Sequence, residues 1–500
     1  MTALMSQPPT FGDALLAAGD PSAIAIIDGP RRHTYQELRD AAGRIVAELT
    51  RLGVPPGARI GLLGANSFFW VAAYLAALKF GVAVPLSDKN EVEELAAQAD
   101  WVDCAAILID RRQQRRLGAA FGDRPAVTDA VLAEPGASEW PDRIASPDSD
   151  AALMFTSGTT SRPKAVRVTH ANLLANTRSI VEYLDLRPAD RMLVILPFHY
   201  VFGASLLHTH LAVGGSLTLC NTFTFPETAL DLIEKEQCTG FAGVPSSFQL
   251  LLRASSYATR PLPSLRIVQQ AGGRLAPALI EELVAAQPTS RVFVMYGQTE
   301  ATARLSYLPP DLLTTKLGSI GRGIPGVELR VLNDAGQPVA VDETGEIVAR
   351  GANISPGYHN DPEATAEKFP DGDLRTGDLA TVDADGFLFI VGRRGDFIKS
   401  WGYRISPAQI EETALRHAGV TGAAAVGLPD PEAGEAVTLA VTVAPDQALD
   451  PAGLTAFLRG HLPKHMVPES VHVLDALPMT ASGKVSKAEL RSLLQSRRER

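Results

Sequence analysis

Hydroxyl groups, a glycine and a lysine stand close together in one segment of the chain. The segment consists of Thr156, Ser157, Gly158, Thr159, Thr160 and, four residues later, Lys164. It follows the apolar run 151–155 and precedes the helix-like run 170–183, so we expect a loop between a strand and a helix. Backbone N–H groups and hydroxyls in such a loop can donate to phosphate oxygens, and a lysine neutralises their charge. The spacing differs from GxxxxGK[ST], which excludes the P-loop; a Ser/Thr-rich turn stays the alternative.

A second segment, residues 296–300, places an aromatic ring and a carboxylate directly after the apolar run 291–295. Glu300, at the carboxyl end of a strand, could bind Mg²⁺ held by phosphates. The ring of Tyr296 could stack on a nucleotide base. Taken alone, a tyrosine and glycine that end a strand also fit an ordinary turn.

Three further segments add an acid, a guanidinium and a lysine. Asp378 ends Arg-Thr-Gly-Asp, and Arg393 lies in Gly-Arg-Arg-Gly-Asp. An aspartate can accept both hydroxyls of a ribose, and an arginine can lie against the same sugar or its phosphate. Lys484 follows a glycine in the polar segment 478–487, where it could deliver a mobile cation or simply be a surface hairpin lysine.

The elements that position these groups alternate between strands and helices over the first two thirds of the chain. Thr34 and Glu37 form a capping box that begins an amphipathic helix, and short apolar runs predict buried parallel strands. From residue 327 the runs are short and interrupted by glycine, as in a small β-barrel or antiparallel sheet. We therefore predict an α/β fold: an N-terminal domain over 1–392 with two parallel-rich sheets and a β-rich subdomain over 327–392, then a small mobile α+β domain over 393–500.

Composition excludes several classes of protein. The 500 residues are 46% apolar and 20% charged, a globular balance, and the net charge of −10 argues against a nucleic-acid surface. Three scattered cysteines exclude a Cys-based zinc site and a disulfide framework. No apolar run is long enough to span a membrane and no signal core is visible at the N-terminus, so we expect a cytoplasmic protein.

Taken together, in this order and spacing, the five segments resemble the adenylate-forming superfamily, which groups acyl-CoA synthetases, peptide-synthetase adenylation domains and luciferase. The resemblance covers nearly the whole chain. It implies that a carboxylate attacks the α-phosphate of Mg·ATP to give an acyl-adenylate and pyrophosphate. The acyl group then passes to a thiol, either that of coenzyme A or that of a carrier-protein phosphopantetheine. It also implies that the C-terminal domain rotates between the two steps.

The resemblance assigns roles to residues by position. Thr156 to Thr160 and Lys164 would grip the pyrophosphate end of ATP. Tyr296 would stack on adenine, Thr299 would contact the α-phosphate, and Glu300 would bind Mg²⁺. Lys484 would contact both the substrate carboxylate and the α-phosphate. The remaining nucleotide residues implied are Gly272, Gly273, Arg274, Met295, Gly297, Asp378 and Arg393.

The resemblance also locates the acid and thiol sites. The residues implied for the acid pocket are His199, Tyr200, Gly203, Val244, Ser246 and Gln270. Residues 202–205 contain no acidic residue to bind an ammonium group, so an α-amino acid substrate is disfavoured. We expect a small to medium, partly polar or aryl acid. Lys399 and Gly402 are implied for the thiol step.

Three positions depart from the usual pattern, and the acceptor stays open. Ser161 and Ala165 replace glycines of the phosphate loop, and Gly395 replaces a hinge Asp or Lys. Besides a coenzyme A ligase, the sequence is compatible with an enzyme that loads an acyl carrier protein or an amine, and with a non-catalytic nucleotide-binding protein. The oligomeric state is left open.

Overall fold

The computed structural model of the chain describes residues 10–133, 140–156, 164–443, 449–480 and 485–498. The helices in these ranges, numbered α1 to α14 in chain order, are Phe11–Ala17, Tyr35–Arg51, Phe68–Phe80, Val92–Trp101, Arg111–Leu117, His170–Leu184, Val201–Ala212, Pro226–Glu236, Pro245–Ala254, Pro277–Ala286, Pro362–Lys368, Pro407–Leu415, Pro451–His461 and Lys487–Arg498.

The strands of the same ranges, β1 to β24 in chain order, are Ile24–Asp28, Arg31–Thr34, Arg59–Leu63, Val82–Leu86, Ala106–Ile109, Ala126–Val127, Asp150–Phe155, Ala165–Thr169, Arg191–Val194, Ser216–Leu219, Gly240–Gly243, Ile267–Gln270, Arg291–Tyr296, Ser306–Leu308, Arg322–Gly323, Val327–Leu332, Gly345–Gly351, Leu374–Val382, Leu388–Arg393, Ile398–Ser400, Tyr403–Ile405, Gly422–Asp430, Gly434–Thr442 and Ser470–Val473.

Two large sheets form the core of the N-terminal part. One has nine strands in the order β15-β14-β13-β12-β11-β9-β10-β1-β2, and β13 through β1 run parallel. The other has six strands in the order β6-β5-β3-β4-β7-β8, and only β8, which pairs antiparallel with β7, runs against the rest. Helices such as α3, which is buried along almost its whole length, pack between them. The expected α/β class is confirmed, with mixed rather than purely parallel sheets.

Local signals in the sequence explain where several helices begin. The Thr34 side chain accepts from the Glu37 backbone while the Glu37 carboxylate accepts from Thr34, so the predicted capping box is present. Pro277 occupies the first turn of α10, where its missing N–H costs no hydrogen bond. These helices confirm the predicted alternation of strands and helices.

The phosphate-loop segment has a different framework from the one expected. Strand β8 follows the loop and pairs antiparallel with β7, with Phe155 opposite Ala165. The loop therefore joins two strands, and the helix from His170 comes only afterwards. The expectation of a strand-to-helix loop was wrong because Val166 and Val168 alternate with polar residues and suit a strand.

Two smaller sheets follow. Strands β16 to β19 form a four-stranded antiparallel sheet that ends at Arg393, and five strands from Ile398 onward form the last sheet. The sheet over 327–393 matches the antiparallel alternative of the two that the sequence allowed. The domain boundary at 392/393 stays a prediction, and it falls where one sheet gives way to the next.

Candidate active site

Three residues from two sheets bond to one another where β13 ends. The Tyr296 hydroxyl donates to Asp378 Oδ2 at 2.6 Å, and Arg393 Nε donates to Oδ1 at 2.9 Å. Asp378 and Arg393 face each other directly across β18 and β19. Burial, followed by the Asp378 carboxylate, raises the pKa of Tyr296 well above its usual value, so its hydroxyl stays a donor.

A second group contains the candidate magnesium ligand. The Tyr358 hydroxyl donates to Glu300 Oε1 at 2.8 Å, and Lys164 Nζ lies 4.7 Å from the centre of the Tyr358 ring. Burial and the Glu300 carboxylate raise the pKa of Tyr358. Glu300 belongs to the single turn Thr299–Ala301 that follows β13, so Thr299 and Glu300 are held just beyond Tyr296. Carboxylate oxygens are the ligands that Mg²⁺ prefers, so this group suits the ion.

Lys368, at the end of α11, links the two groups. Its ammonium donates to the Thr376 carbonyl at 3.0 Å, two residues before Asp378. Burial lowers the pKa of Lys368, and the nearby Glu300 and Asp378 carboxylates oppose that shift. We call Lys164, Tyr296, Glu300, Tyr358, Lys368, Asp378 and Arg393 the nucleotide cluster.

The phosphate loop is closed at its base by backbone bonds. The Thr156 N–H donates to the Lys164 carbonyl at 3.0 Å, so both ends of the loop are fixed beside the nucleotide cluster. Ala165 is buried within β8, an extended position that needs no glycine. The predicted phosphate contacts of Ser157, Gly158, Thr159 and Thr160 lie outside the described residues, as does Ser161.

The segment that precedes α7 lines the predicted acid side. A methyl carbon at Gly203 would lie 2.1 Å from the Pro197 carbonyl oxygen, so only glycine fits this turn of the chain. The rings of His199 and Tyr200 lie 4.2 Å apart. Burial lowers the pKa of His199 to about 3 and raises that of Tyr200 to about 12, so both side chains are neutral at pH 7.

The ends of β11 and β12 face the same segment. A methyl carbon at Gly272 would lie 2.8 Å from Val244 Cγ1 and 4.0 Å from Phe202, and one at Gly273 would lie 3.1 Å from Pro245. The Gln270 amide donates to the Gly273 carbonyl at 2.8 Å. These parallel strands therefore bring Val244, Gln270 and Gly272 to one edge of the nine-stranded sheet, and Ser246 follows in the first turn of α9.

The remaining predicted nucleotide residues have distinct surroundings. Met295 is buried and its sulfur accepts from the Tyr183 hydroxyl at 3.0 Å. Gly297 lies against the Ala303 carbonyl: a methyl carbon at Gly297 would lie 1.9 Å from the Ala303 carbonyl oxygen. Arg274 points to the C-terminal part, with its guanidinium 2.8 Å from Glu412 of α12. Its assignment to the nucleotide stays a prediction.

The two candidate catalytic segments of the C-terminal part have different positions. Lys399 is exposed on β20, and Gly402 forms with Trp401 the turn to β21; the Trp401 ring is 62% exposed. Lys484 lies outside the described residues. The described residues on either side of it are joined, because Met479 bridges Val485 and the Ser486 N–H donates to the Pro478 carbonyl at 2.8 Å.

Sequence reasoning missed Tyr358 and Lys368. Tyr358 lies in a loop and Lys368 at the end of a short helix, more than 50 residues beyond Glu300. Neither stands in a motif with a recognisable chemical pattern. Only the three-dimensional approach of the loop and α11 to Glu300 and Asp378 brings them to the site.

Comparison with known proteins identifies the family. Residues 16–359 match the AMP-binding enzyme model, and residues 409–484 match that of the AMP-binding enzyme C-terminal domain. The chain belongs to the AMP-binding enzyme family. Membership confirms the expected superfamily and enzyme class, an AMP-forming acid–thiol ligase, together with ATP and Mg²⁺.

Individual relatives of this AMP-binding enzyme cover nearly its whole length. A feruloyl-CoA synthase from Amycolatopsis sp is 35% identical over 94% of this chain and 96% of its own. The o-succinylbenzoate CoA synthetase MenE from Bacillus subtilis, in complex with the acyl-adenylate intermediate OSB-AMP, superposes with a TM-score of 0.87 at 28% identity, over 97% of this chain and 99% of that one. None of the helices within the described ranges is long and apolar enough to cross a bilayer.

A third relative has been solved in two forms. ATP-bound MatB from Rhodopseudomonas palustris superposes with a TM-score of 0.90, and apo MatB with 0.78. Identity is 26% in both cases, and each match covers 98% of this chain and 99% of that one. Since sequence and coverage are equal, the arrangement of this AMP-binding enzyme is closer to the ATP-bound form.

Proposed function

We propose that this enzyme joins a small carboxylic acid to ATP, releases pyrophosphate, and then transfers the acyl group to coenzyme A. The observation that carries the proposal is the nucleotide cluster, which assembles three cations, two carboxylates and two tyrosine hydroxyls. The feruloyl-CoA synthase and o-succinylbenzoate CoA synthetase relatives support coenzyme A as the acceptor.

The chemistry of the first step suits these residues. A carboxylic acid is already ionised at pH 7, so its attack on the α-phosphate needs no general base. In this proposal Asp378 would accept ribose hydroxyls, and Lys164 would neutralise phosphate charge. A magnesium ion bound at Glu300 would supply further positive charge to the phosphates. Positioning and cationic stabilisation are then the main contributions to catalysis.

Lys484 is assigned to the same step. Two anions must meet when the acid attacks ATP, and an ammonium group between them lowers that repulsion in the transition state. The segment between Met479 and Val485, which bridge each other, would carry the lysine into the cleft. This assignment, like that of Thr299 at the α-phosphate, rests on the family resemblance.

The second step requires another arrangement of the C-terminal domain. The Trp401–Gly402 turn is exposed in the present arrangement, which is the one closer to ATP-bound MatB. We assign this turn and Lys399 to the thiol step, in which the domain would rotate to bring them to the acyl-adenylate. An exposed Trp401 ring is consistent with a surface that is buried only in the second arrangement.

Exchange of radiolabelled pyrophosphate into ATP, measured across a library of acids, tests the proposal. We expect exchange with at least one acid, and a new thioester mass when coenzyme A is added. Thioester formation only on a purified holo carrier protein would make that protein the acceptor instead of coenzyme A. Amide formation only with an amine would make the amine the acceptor. Absence of exchange with every acid would favour a non-catalytic nucleotide-binding protein.

A further inference from the structure

One buried cation close to the acid site has no counter-charge among the described residues. Arg304, two residues before β14, is 1% exposed, and its Nε and Nη2 atoms are buried without a hydrogen-bond partner. Its guanidinium lies close to the Tyr183 hydroxyl and 4.1 Å from the centre of the Phe202 ring. Neither neighbour carries a charge at neutral pH, because burial raises the pKa of Tyr183 to about 12.

The contrast with the other fully buried cation, Lys79, shows how unusual this is. Lys79 is 2% exposed, but the Asp13 carboxylate lies 2.9 Å from its ammonium and the Arg143 carbonyl accepts a further bond. A buried charge without such partners costs several kcal/mol. Two donor nitrogens of Arg304 thus lack the acceptor that a buried guanidinium requires.

Two contacts place Arg304 against the predicted acid pocket. Phe202, whose ring lies against the guanidinium, directly precedes Gly203 and approaches Gly272. The Tyr183 hydroxyl, which lies close to the guanidinium, donates to the sulfur of Met295, the residue before Tyr296. Arg304 therefore lies beside neighbours of both the predicted acid pocket and the nucleotide cluster.

A second polar side chain without partners lies on the same side of the sheet. Gln269 is fully buried, and neither its amide oxygen nor its amide nitrogen has a partner. Gln269 of β12 is paired with Phe293 of the parallel strand β13, so the two side chains lie on the same face of the sheet. Phe293 and Phe202 belong to one hydrophobic cluster, which packs on that face. We call Tyr183, Phe202, Gln269 and Arg304 the inner cluster.

We propose that Arg304 binds a second carboxylate of the substrate acid, so that the enzyme selects dicarboxylic acids. The guanidinium presents two donors in a planar fork, which matches a carboxylate, and the Gln269 amide on the same side of the sheet is free to donate or accept. The substrate would bring the missing negative charge to the buried cation. Its other carboxylate would remain at the nucleotide cluster for adenylation. This inference rests on the proposed adenylation and names its substrate class.

Pyrophosphate exchange with acids matched in carbon number tests the inference. Suitable pairs are butanoate and succinate, hexanoate and adipate, and 2-methylbenzoate and phthalate. We expect at least one dicarboxylic acid to exceed its partner in kcat/KM by ~30-fold or more, the effect of a buried charge pair. Arg304→Met should lower that ratio by a similar factor and leave the KM for ATP within about twofold. Arg112→Met, an exposed change on α5, is the control and should leave the ratio as it is.

A binding measurement separates failure of this inference from failure of the proposed function. Thermal shifts with each acid alone need no turnover, and Arg304→Lys, which retains the charge, guards against misfolding of the methionine variant. Stabilisation by a dicarboxylic acid in the wild type and in Arg304→Lys, lost in Arg304→Met, supports the inference even without exchange. Exchange with monocarboxylic acids together with equal shifts for both members of every pair would overturn it, and so would no shift with any dicarboxylic acid.

Discussion

The nucleotide cluster and the inner cluster are neighbours, but they satisfy their polar groups in opposite ways. In the nucleotide cluster, Asp378 already accepts from Tyr296 and Arg393, and Glu300 accepts from Tyr358. In the inner cluster, Arg304 and Gln269 keep buried polar atoms without partners. A site whose groups already hold one another is rigid before its ligand binds, and that rigidity lowers the entropic cost of orienting it.

This difference indicates a division of labour. ATP is common to every reaction of such an enzyme, so its site can be assembled in advance. The acid is what distinguishes one family member from another, and unsatisfied buried groups discriminate strongly, because the wrong acid leaves them unpaired. Changes in the nucleotide cluster should therefore weaken activity with all acids equally, whereas changes in the inner cluster should alter the ranking of acids.

Removing Lys484, the cation expected to contact both the reacting carboxylate and the α-phosphate, should have the largest effect. We expect Lys484→Ala to lower pyrophosphate exchange by about 10²–10³-fold, as for loss of a charge-stabilising donor. Thioester formation from a supplied acyl-adenylate should be largely retained. The loss should be equal for all acids, because Lys484 contacts the carboxylate that every acid shares. Lys487→Ala is the matched control, since the Lys487 ammonium is occupied 3.0 Å from Glu411. An equal loss in both half-reactions would contradict the assigned role.

Glu300→Gln should be the next largest change. The amide keeps the shape of the side chain but removes the negative charge that Mg²⁺ prefers. We expect kcat/KM for Mg·ATP to fall ~10–100-fold and the magnesium concentration for half-maximal rate to rise. Titrating magnesium at fixed ATP with two acids measures both effects. A changed ranking of the acids would contradict the comparison of the two regions. An unchanged magnesium dependence would contradict the assignment of Glu300 as a magnesium ligand.

Tyr358→Phe should have a smaller effect of the same kind. It removes one hydrogen bond to Glu300 but keeps the ring beside Lys164. A hydrogen bond to a charged group contributes about 1.5 kcal/mol or more, so kcat/KM for ATP should fall about tenfold. Steady-state kinetics with two acids would show the same factor for each. A fall confined to one acid would place Tyr358 in the acid site instead.

The sequence predicted the framework of the nucleotide cluster better than its connections. Tyr296 and Glu300 follow an apolar strand, and such strands end at a common edge of a parallel sheet, so their position follows from a local pattern. The approach of Asp378 to Tyr296 depends on how a separate antiparallel sheet packs against that edge. No local periodicity encodes that packing.

The inner cluster could not be predicted in the same way. Arg304 stands in Ala-Thr-Ala-Arg-Leu, and nothing in that context distinguishes a buried arginine from an exposed one. Its burial follows from tertiary contacts, since the amides of Asn176 and Asn353 both bind its backbone carbonyl. Strand β8 was missed for a related reason, because five residues after a long loop give a weak periodic signal.

The pH dependence of the free energy of unfolding offers a last test. Of these predictions, it is expected to have the smallest effect at neutral pH. Burial lowers the pKa of His199 and His208 to about 3 and that of His210 to about 4, so these imidazoles are neutral in the folded protein. The unfolded chain binds protons below its ordinary histidine pKa of ~6.5, whereas the folded one does not. The contribution of these neutral histidines to the free energy of unfolding is therefore fully present above pH 6.5. It is lost as the pH falls toward 3 or 4.

His199→Phe isolates one of these contributions beside the acid pocket. Its Nε2 atom has no partner, so the substitution breaks no hydrogen bond from that atom. When the pH is lowered from 7 to 5, the free energy of unfolding should fall by about 2 kcal/mol more in the wild type than in the variant. Urea unfolding at both pH values measures this difference. Phe241→Leu, also fully buried, should lose the same stability at each pH. Equal pH dependence of wild type and His199→Phe would mean that His199 binds its proton as readily when folded as when unfolded, and that this side of the acid pocket admits water.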